Sequence, residues 1–365
     1  SHKELKVFEA LEKSYNTVPA QLCQTLTPQS VFDFATSKIG LDLCKDSGDG
    51  HTDNAYSPLT VGALTYGVTL ENLVNGYVPY GNGGTQYKAH LVSKVVQGAG
   101  DLIYENNGDP EEAVSSETAY VMNKLLQDVV NNGTGQKAKL ENKHVAGKTG
   151  TTQNVTDKWF CGYTPYYTAA IWLGYDDNSK ELSGYIDHRK MWRTIMQEIH
   201  DNLPTGSFEK PDDIVETEVC SQSGKLPVAG LCDQDPRGSQ LVTEYFSKDN
   251  NPTDTCDVHI KVTICDDTGE IASANCPHKT TKIMIKKAAI VKNPSNEDET
   301  TYTTWDQEYA ITEEQLSKVC TAHGGSSSGS TSSGNSSGTT HSTTAPSSTK
   351  PTTSSHSNTS GTTRR

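Results

Sequence analysis

Apolar residues recur at helical spacing at the start of the chain: in "KELKVFEALEK" the positions Leu5, Phe8 and Leu11 share one face, and the pattern predicts a helix that stops at Lys13. Ser14-Tyr15-Asn16 breaks it, and Pro19 suits the first turn of a second helix. Ser14 and Asn16 are therefore expected in an interhelical connection. Were it extended, the two polar side chains would point the same way, toward one cleft; the competing reading is that they cap the second helix. Thr69 to Tyr77 reads as another helix, closed by the glycine turn of "YGNGG". Ser116 to Asn132 gives the clearest helical pattern, with a serine cap, Glu117 in the first turn, Val121, Met122, Leu125, Leu126 and Val129 along one face, and Gly133 past the end.

From Val145 the period changes. "HVAGKTGTT" and "KWFCGYTPYYTAAIWLGYDD" are rich in β-branched and aromatic residues, and Thr164-Pro165 marks a turn, so the stretch predicts strand, strand, turn, strand. Met191, Trp192, Ile195, Met196 and Ile199 then form an amphipathic helix ended by Pro204. Helices, an antiparallel sheet and a helix back across it give an α+β fold over residues 1–206.

After Gly206 the composition shifts. Six of nine cysteines, Cys220, Cys232, Cys256, Cys265, Cys276 and Cys320, fall in Gly-, Pro- and Asp-rich sequence, and a small Cys-rich β module is expected over 207–287. Disulfides are the preferred reading, which favours an extracellular setting. Zinc competes through Cys256-x-x-His259 and Cys276-x-His278, without matched Cys-x-x-Cys knuckles. Cys23, Cys44 and Cys161 read as inert core thiols or one further bridge. Residues 288–322 are an acidic connection. In 323–365, 26 of 43 residues are Ser or Thr, which predicts a disordered tail.

The formal charge is -14, and -17 without the tail's Lys350, Arg364 and Arg365. A nucleic acid or anionic membrane would approach the body against that field, so neither is expected as a partner. No run of about 18 apolar residues offers a membrane span, and no signal peptide is visible.

Gly147-Lys148-Thr149 invites a phosphate-loop reading, which fails because position 142, where a glycine is required, is Asn. "KTGTT" (148–152), with "SYN" (14–16) before it, "GTG" (133–135), "WFCGYTP", "IWLGYDD", "CSQSGKLPVAGLC" and "PTDTCDVH", instead resembles the class A penicillin-binding proteins, bifunctional cell-wall synthases, over about residues 1–290. The resemblance implies an incomplete penicilloyl-serine transferase fold and a D,D-transpeptidase. Its partners would be stem peptides ending in D-Ala-D-Ala and the β-lactams that mimic them, outside the cell membrane in the wall of a Gram-positive type of bacterium. It implies that Ser14 passes a proton toward the departing amine, that Asn16 holds the substrate amide, and that Lys148, a cation on a strand, grips the terminal carboxylate with the hydroxyls of Thr149 and Thr151. Gly150 would allow close backbone approach, and the Thr151 N–H would be one oxyanion donor. No metal or organic cofactor is implied for acyl transfer.

The family's Ser-x-x-Lys nucleophile motif precedes Ser-x-Asn, and thirteen residues before Ser14 leave no room for it. Ser207-Phe208-Glu209-Lys210 and Ser347-Ser348-Thr349-Lys350 each run into proline and are decoys, as is "GNSSG" at 334–338. The expectation is that nucleophile, glycosyltransferase domain, membrane anchor and two sheet strands lie upstream in the same protein, that the isolated chain is inactive, and that an apolar face and a sheet edge are left uncovered. The alternatives are a non-catalytic wall-associated surface protein and a D,D-carboxypeptidase or β-lactamase-type hydrolase.

Overall fold

The computed structural model describes residues 6–176, 180–182, 186–286, 290–291, 302–303 and 308–324. The first unit opens with α1 (Val7–Lys13), α2 (Thr17–Leu26), α3 (Pro28–Ser37), α4 (Tyr56–Val61) and α5 (Leu70–Gly81). Small antiparallel ribbons follow: β1 (Thr85–Gln86) with β4 (Glu111–Glu112), and β2 (Lys94–Gln97) with β3 (Asp101–Glu105). Then come α6 (Ser116–Asn131), β5 (Ala146–Thr151), β6 (Lys158–Tyr163), β7 (Thr168–Leu173) and α7 (His188–His200). The expected α+β order holds, with β5, β6 and β7 forming an antiparallel meander whose centre is β6.

Alternation along the strands assigns the two faces. Phe160 and its cross-strand partner Ile171 face α7, where Phe160 meets Trp192 edge to face at 5.1 Å, and the Trp192 Nε1–H donates to Ala169 O at 2.9 Å. Val130, Ala138, Leu140, Val145 and Met196 complete that layer. Ala146 and Tyr163, paired across β5 and β6, face the other way onto Leu126 of α6, with Tyr77 and Tyr80 of α5 and Leu11 of α1 packed against them. The sheet is thus sandwiched between helices, and α6 bridges the two layers because Leu126 serves one and Val130 the other.

The helix α6 starts where expected, its N-cap Ser115 accepting from Thr118 N, but its buried face runs through Ala119, Tyr120, Asn123, Leu126, Val129 and Val130, with Val121, Met122 and Leu125 only partly covered. Two apolar rows lie on α7. Trp192 and Met196 are buried, whereas Met191, Ile195 and Ile199 are 40%, 50% and 48% exposed. Among the described residues the outer edges of β5 and β7 pair with no strand.

The second unit pairs β8 (Ile214–Cys220) with β9 (Leu241–Ser247), and β10 (His259–Cys265) with β11 (Lys279–Lys286). Beyond it, β12 (Ile290–Val291) pairs with β13 (Tyr302–Thr303), β14 (Ala310–Ile311) lies parallel to β11, and α8 (Glu313–Ser317) follows. Two expectations are corrected here. All nine cysteines are free. The six of this unit gather as two buried triads, each beside a histidine, an odd number of thiols that cannot all pair with one another. The described part of 308–324 also belongs to this unit, through the β11–β14 pairing and an Ile271–Val319 bridge, so 288–322 is not merely a connection and His323 is not part of a structureless tail. The rest of the expected tail lies outside the described residues.

Candidate functional site

The N-terminal corner is built by three contacts between segments far apart in sequence. The helix α1 ends at Ser14, whose left-handed backbone (φ 59°, ψ 44°) turns the chain, and Tyr15 N closes it by donating to Ala10 O at 2.9 Å. Asn16, at φ -75° and ψ -19°, stands at the N-cap of α2 without a side-chain cap bond. The connection is therefore not extended, the first of the two readings: Ser14 is left-handed and Asn16 helical. Capping does not occupy the Asn16 amide either.

Gly133-Thr134-Gly135, just past α6, presses against this corner. Thr134 N donates to Glu12 O at 3.1 Å, and a Cβ on Gly133 would stand 2.4 Å from that same oxygen. Glycine is needed there because the two backbones touch. The Thr134 carbonyl is held from the far side by the Arg189 Nη1–H at 2.9 Å. Arg189 is gripped in turn by both oxygens of Asp187 at 2.8 Å, and Lys137 reaches Asp187 at 2.8 Å. The hydrogen bond from Arg189, with that from Lys137, holds the Asp187 carboxyl well below the usual carboxylate range against the opposing effect of burial.

Lys148 enters from β5. Its Nζ donates to Ser14 Oγ at 2.7 Å, across 134 residues of sequence, and to Thr149 O at 3.0 Å. Burial lowers its pKa from 10.5 to about 8, because a desolvated ammonium is disfavoured and no carboxylate offsets the loss. Gly147, one residue before, pairs with Gly162, and a Cβ there would lie 2.7 Å from Cys161 O and 2.8 Å from Gly162 Cα. Two facing glycines let β5 and β6 close up under the lysine. Gly150 is less constrained: its Cβ would meet Trp159 Cβ at 3.2 Å.

Thr149 sits on the opposite face of the strand from Lys148, opposite Phe160, and its Oγ1 is 2.8 Å from Thr134 Oγ1. That hydroxyl braces the Gly133–Gly135 turn. Thr151 is exposed at the end of β5, beside a hairpin closed by Asp157 N donating to Thr152 Oγ1 and stiffened by Trp172 Nε1–H donating to Asp157 at 2.8 Å. Of the residues singled out from sequence, Ser14 and Lys148 are joined by a direct side-chain bond, and Asn16, Gly150 and Thr151 flank them; the Thr149 hydroxyl, expected to grip a carboxylate with Lys148, is turned to the other face of the strand and bonds Thr134 instead. Thr134, Arg189 and Asp187 had no sequence signal beyond the glycines around Thr134.

Residues 1–197 match the family model described as penicillin binding protein transpeptidase domain, and 210–261 match penicillin-binding protein 1A, C-terminal domain. The chain belongs to the penicillin-binding protein transpeptidase family. Penicillin-binding protein 1A of Clostridium botulinum is 35% identical over 276 residues, covering 75% of this chain and 32% of the relative. Penicillin-binding protein 1A/1B of Bacillus subtilis is 32% identical over 263 residues, 67% of this chain and 28% of the relative. The chain thus spans about a third of the length of the curated relatives it matches. The crystal structure of penicillin-binding protein 1A from Haemophilus influenzae superposes with a TM-score of 0.52 at 19% identity, over 69% of this chain and 41% of that one, a likeness of fold. The Lys148–Ser14 bond joins the KTGTT and SYN segments within the matched residues 1–197.

Proposed function

We propose that this chain is part of a peptidoglycan D,D-transpeptidase that acts outside the cytoplasmic membrane and cross-links stem peptides through a serine acyl-enzyme. The observation that carries the reading is the 2.7 Å bond between Lys148 Nζ and Ser14 Oγ beside a strand edge that no described residue pairs. In this reading the donor peptide lies along β5 as an added strand. Its terminal carboxylate is gripped by the Lys148 ammonium with Thr151 at hand, the Asn16 amide holds a substrate amide, and Gly150 keeps the strand low beneath it. Ser14 accepts a hydrogen bond from Lys148, which leaves its own O–H free to donate toward the departing amine. A lysine whose pKa is about 8 can then replace that proton.

Ser14 and Thr149 have no lysine one helical turn on, and Lys137, three residues after Thr134, is held by Asp187 at 2.8 Å. In this reading the acylated serine therefore belongs to a Ser-x-x-Lys helix in the part of the relatives' length that the chain does not span. The same chemistry makes β-lactams acylating mimics of the donor. A fluorescent penicillin tests this: protein carrying that helix ahead of Ser14 becomes covalently labelled on its serine, and the 365-residue chain does not. Absence of label on the longer protein would refute the catalytic reading.

A further inference from the structure

The six cysteines of the second unit are arranged for something other than one another. Cys220, Cys232, Cys256 and His259 form one set, and Cys265, Cys276, Cys320 and His323 another; in each, the four potential ligand atoms all lie within 4.8 Å of one another. A tetrahedral zinc with Zn–S of about 2.3 Å and Zn–N of about 2.0–2.1 Å sets sulfur and nitrogen about 3.5 Å apart. His259 Nδ1 lies 3.4 Å from both Cys220 Sγ and Cys256 Sγ, and His323 Nδ1 lies 3.6 Å from Cys265 Sγ and 3.3 Å from Cys320 Sγ. These are the separations of ligands around a common centre.

The far side of each imidazole agrees. His259 Nε2 is 2.8 Å from Asp235 Oδ2, both side chains fully buried, and Arg237 holds the carboxylate in place at 2.8 and 2.9 Å. A proton on Nε2, fixed by that carboxylate, leaves Nδ1 as a lone pair aimed at the thiols, the usual outer support of a metal-bound histidine. His323 Nε2 faces Asp267 Oδ2 at 3.3 Å in the same sense. Backbone amides approach one sulfur of each set, Val228 N to Cys232 at 3.3 Å and Ser273 N to Cys276 at 3.2 Å, as thiolates would accept them.

The two sets are also copies of one backbone plan. Cys220 ends β8 and Cys265 ends β10; Gly224 N and Gly269 N each donate back to that cysteine's carbonyl at 2.8 Å. Cys256 N donates to Leu226 O at 2.7 Å and Cys320 N to Ile271 O at 2.8 Å, each beside a parallel bridge, Leu226–Thr255 and Ile271–Val319. The third cysteine in each copy opens a Cys-x-x-His. Accidental clustering of thiols would not reproduce the same donors twice. Val228, Leu241 and Val258 pack against the first set and Ala272 against the second.

We infer that this unit binds two zinc ions, each closed by three thiolates and one histidine Nδ1. Four protein ligands leave no open position, so the ions hold the fold and take no part in acyl transfer. Of the pairs weighed from sequence, Cys256 and His259 share a site, whereas Cys276 is joined by His323; His278 instead lies 3.3 Å from Asp267 Oδ1.

Metal content of the chain, purified without added metal or chelator, tests the inference. Two equivalents of zinc are expected, with all six thiols resistant to alkylation until a chelator is added. Cys232→Ser and Cys276→Ser should each leave one equivalent, and His278→Ala both. Should those serine variants fail to fold, cobalt-exchanged wild-type chain still reports, through the thiolate-to-metal absorption and intense visible bands of tetrahedral cobalt. Zinc-free protein with disulfides or freely alkylated thiols, iron in place of zinc, or a single equivalent in the wild-type chain would overturn the two-site assignment.

Discussion

Replacing Lys148 by methionine keeps most of the stem and removes the charge, and its effect on stability can be worked from the site. Burial holds the ammonium at a pKa of about 8 against 10.5. At about 1.36 kcal/mol per unit, carrying the proton in the folded state costs about 3 kcal/mol relative to the unfolded chain. Methionine forfeits the bonds to Ser14 Oγ and Thr149 O, together roughly 1–2 kcal/mol net. At pH 7 the variant should therefore be more stable by about 1–2 kcal/mol. The sign changes with pH. Below pH 8 Lys148 is protonated in both states and the penalty is fully present. Between 8 and 10.5 the folded state sheds a proton that the unfolded state keeps, so wild-type stability rises with pH, and above 10.5 only the lost hydrogen bonds remain to disfavour methionine. Urea unfolding followed by tryptophan fluorescence reads the right unit, since Trp159, Trp172 and Trp192 lie on β6, β7 and α7. A variant less stable than wild type at pH 7, or a difference that does not move between pH 7 and 10, would refute the reasoning.

Three further outcomes follow from the same geometry. Gly147→Ala drives a Cβ into Cys161 O and Gly162 Cα, both backbone atoms, and should destabilise the sheet by about 1–3 kcal/mol in denaturant unfolding, whereas Gly150→Ala, which meets only the Trp159 side chain, should cost less. Asp187, whose carboxyl is held below its ordinary range chiefly by Arg189, contributes stability that is complete above the unfolded-state pKa and is lost as pH falls through the folded one; Asp187→Asn should flatten the acid limb of a stability–pH curve measured below pH 4. Penicillin acylation of the protein carrying the Ser-x-x-Lys helix should slow as pH rises above about 8, because Lys148 loses the charge that attracts the carboxylate; a rate flat to pH 10 would contradict that role.

Much of the first unit is legible in the sequence because its signals are local. Thr-, Tyr- and Trp-rich runs around Thr164-Pro165 gave the meander, and a capped stripe gave α6. Which side of a helix is buried was less so: α7 has apolar residues on two rows, and only contact with Phe160 and Ala169 decides that Trp192 is covered while Ile195 is not. The β2–β3 ribbon has no period-2 signal, because Val95-Val96 and Leu102-Ile103 are adjacent apolar pairs without alternation, on strands exposed throughout. The left-handed turn at Ser14 is unusual for a residue with a Cβ, and it lies beside a contact across more than a hundred residues, Thr134 N donating to Glu12 O. The grouping of the thiols is not legible for a related reason. Spacing shows Cys256-x-x-His259, but the other ligands are 24 and 36 residues upstream of Cys256, and His323 stands at the head of a Ser/Thr-rich stretch that composition alone assigns to a tail.

The central claim is that the Lys148 ammonium, delivered by β5 to Ser14, recognises the anionic end of the acyl donor. The rate of covalent labelling by a fluorescent penicillin, compared between Lys148→Ala and the unsubstituted protein carrying the Ser-x-x-Lys helix, tests it most directly. A loss of roughly 10²-fold or more at pH 7, with folding intact by circular dichroism, is predicted; labelling at an undiminished rate would contradict it.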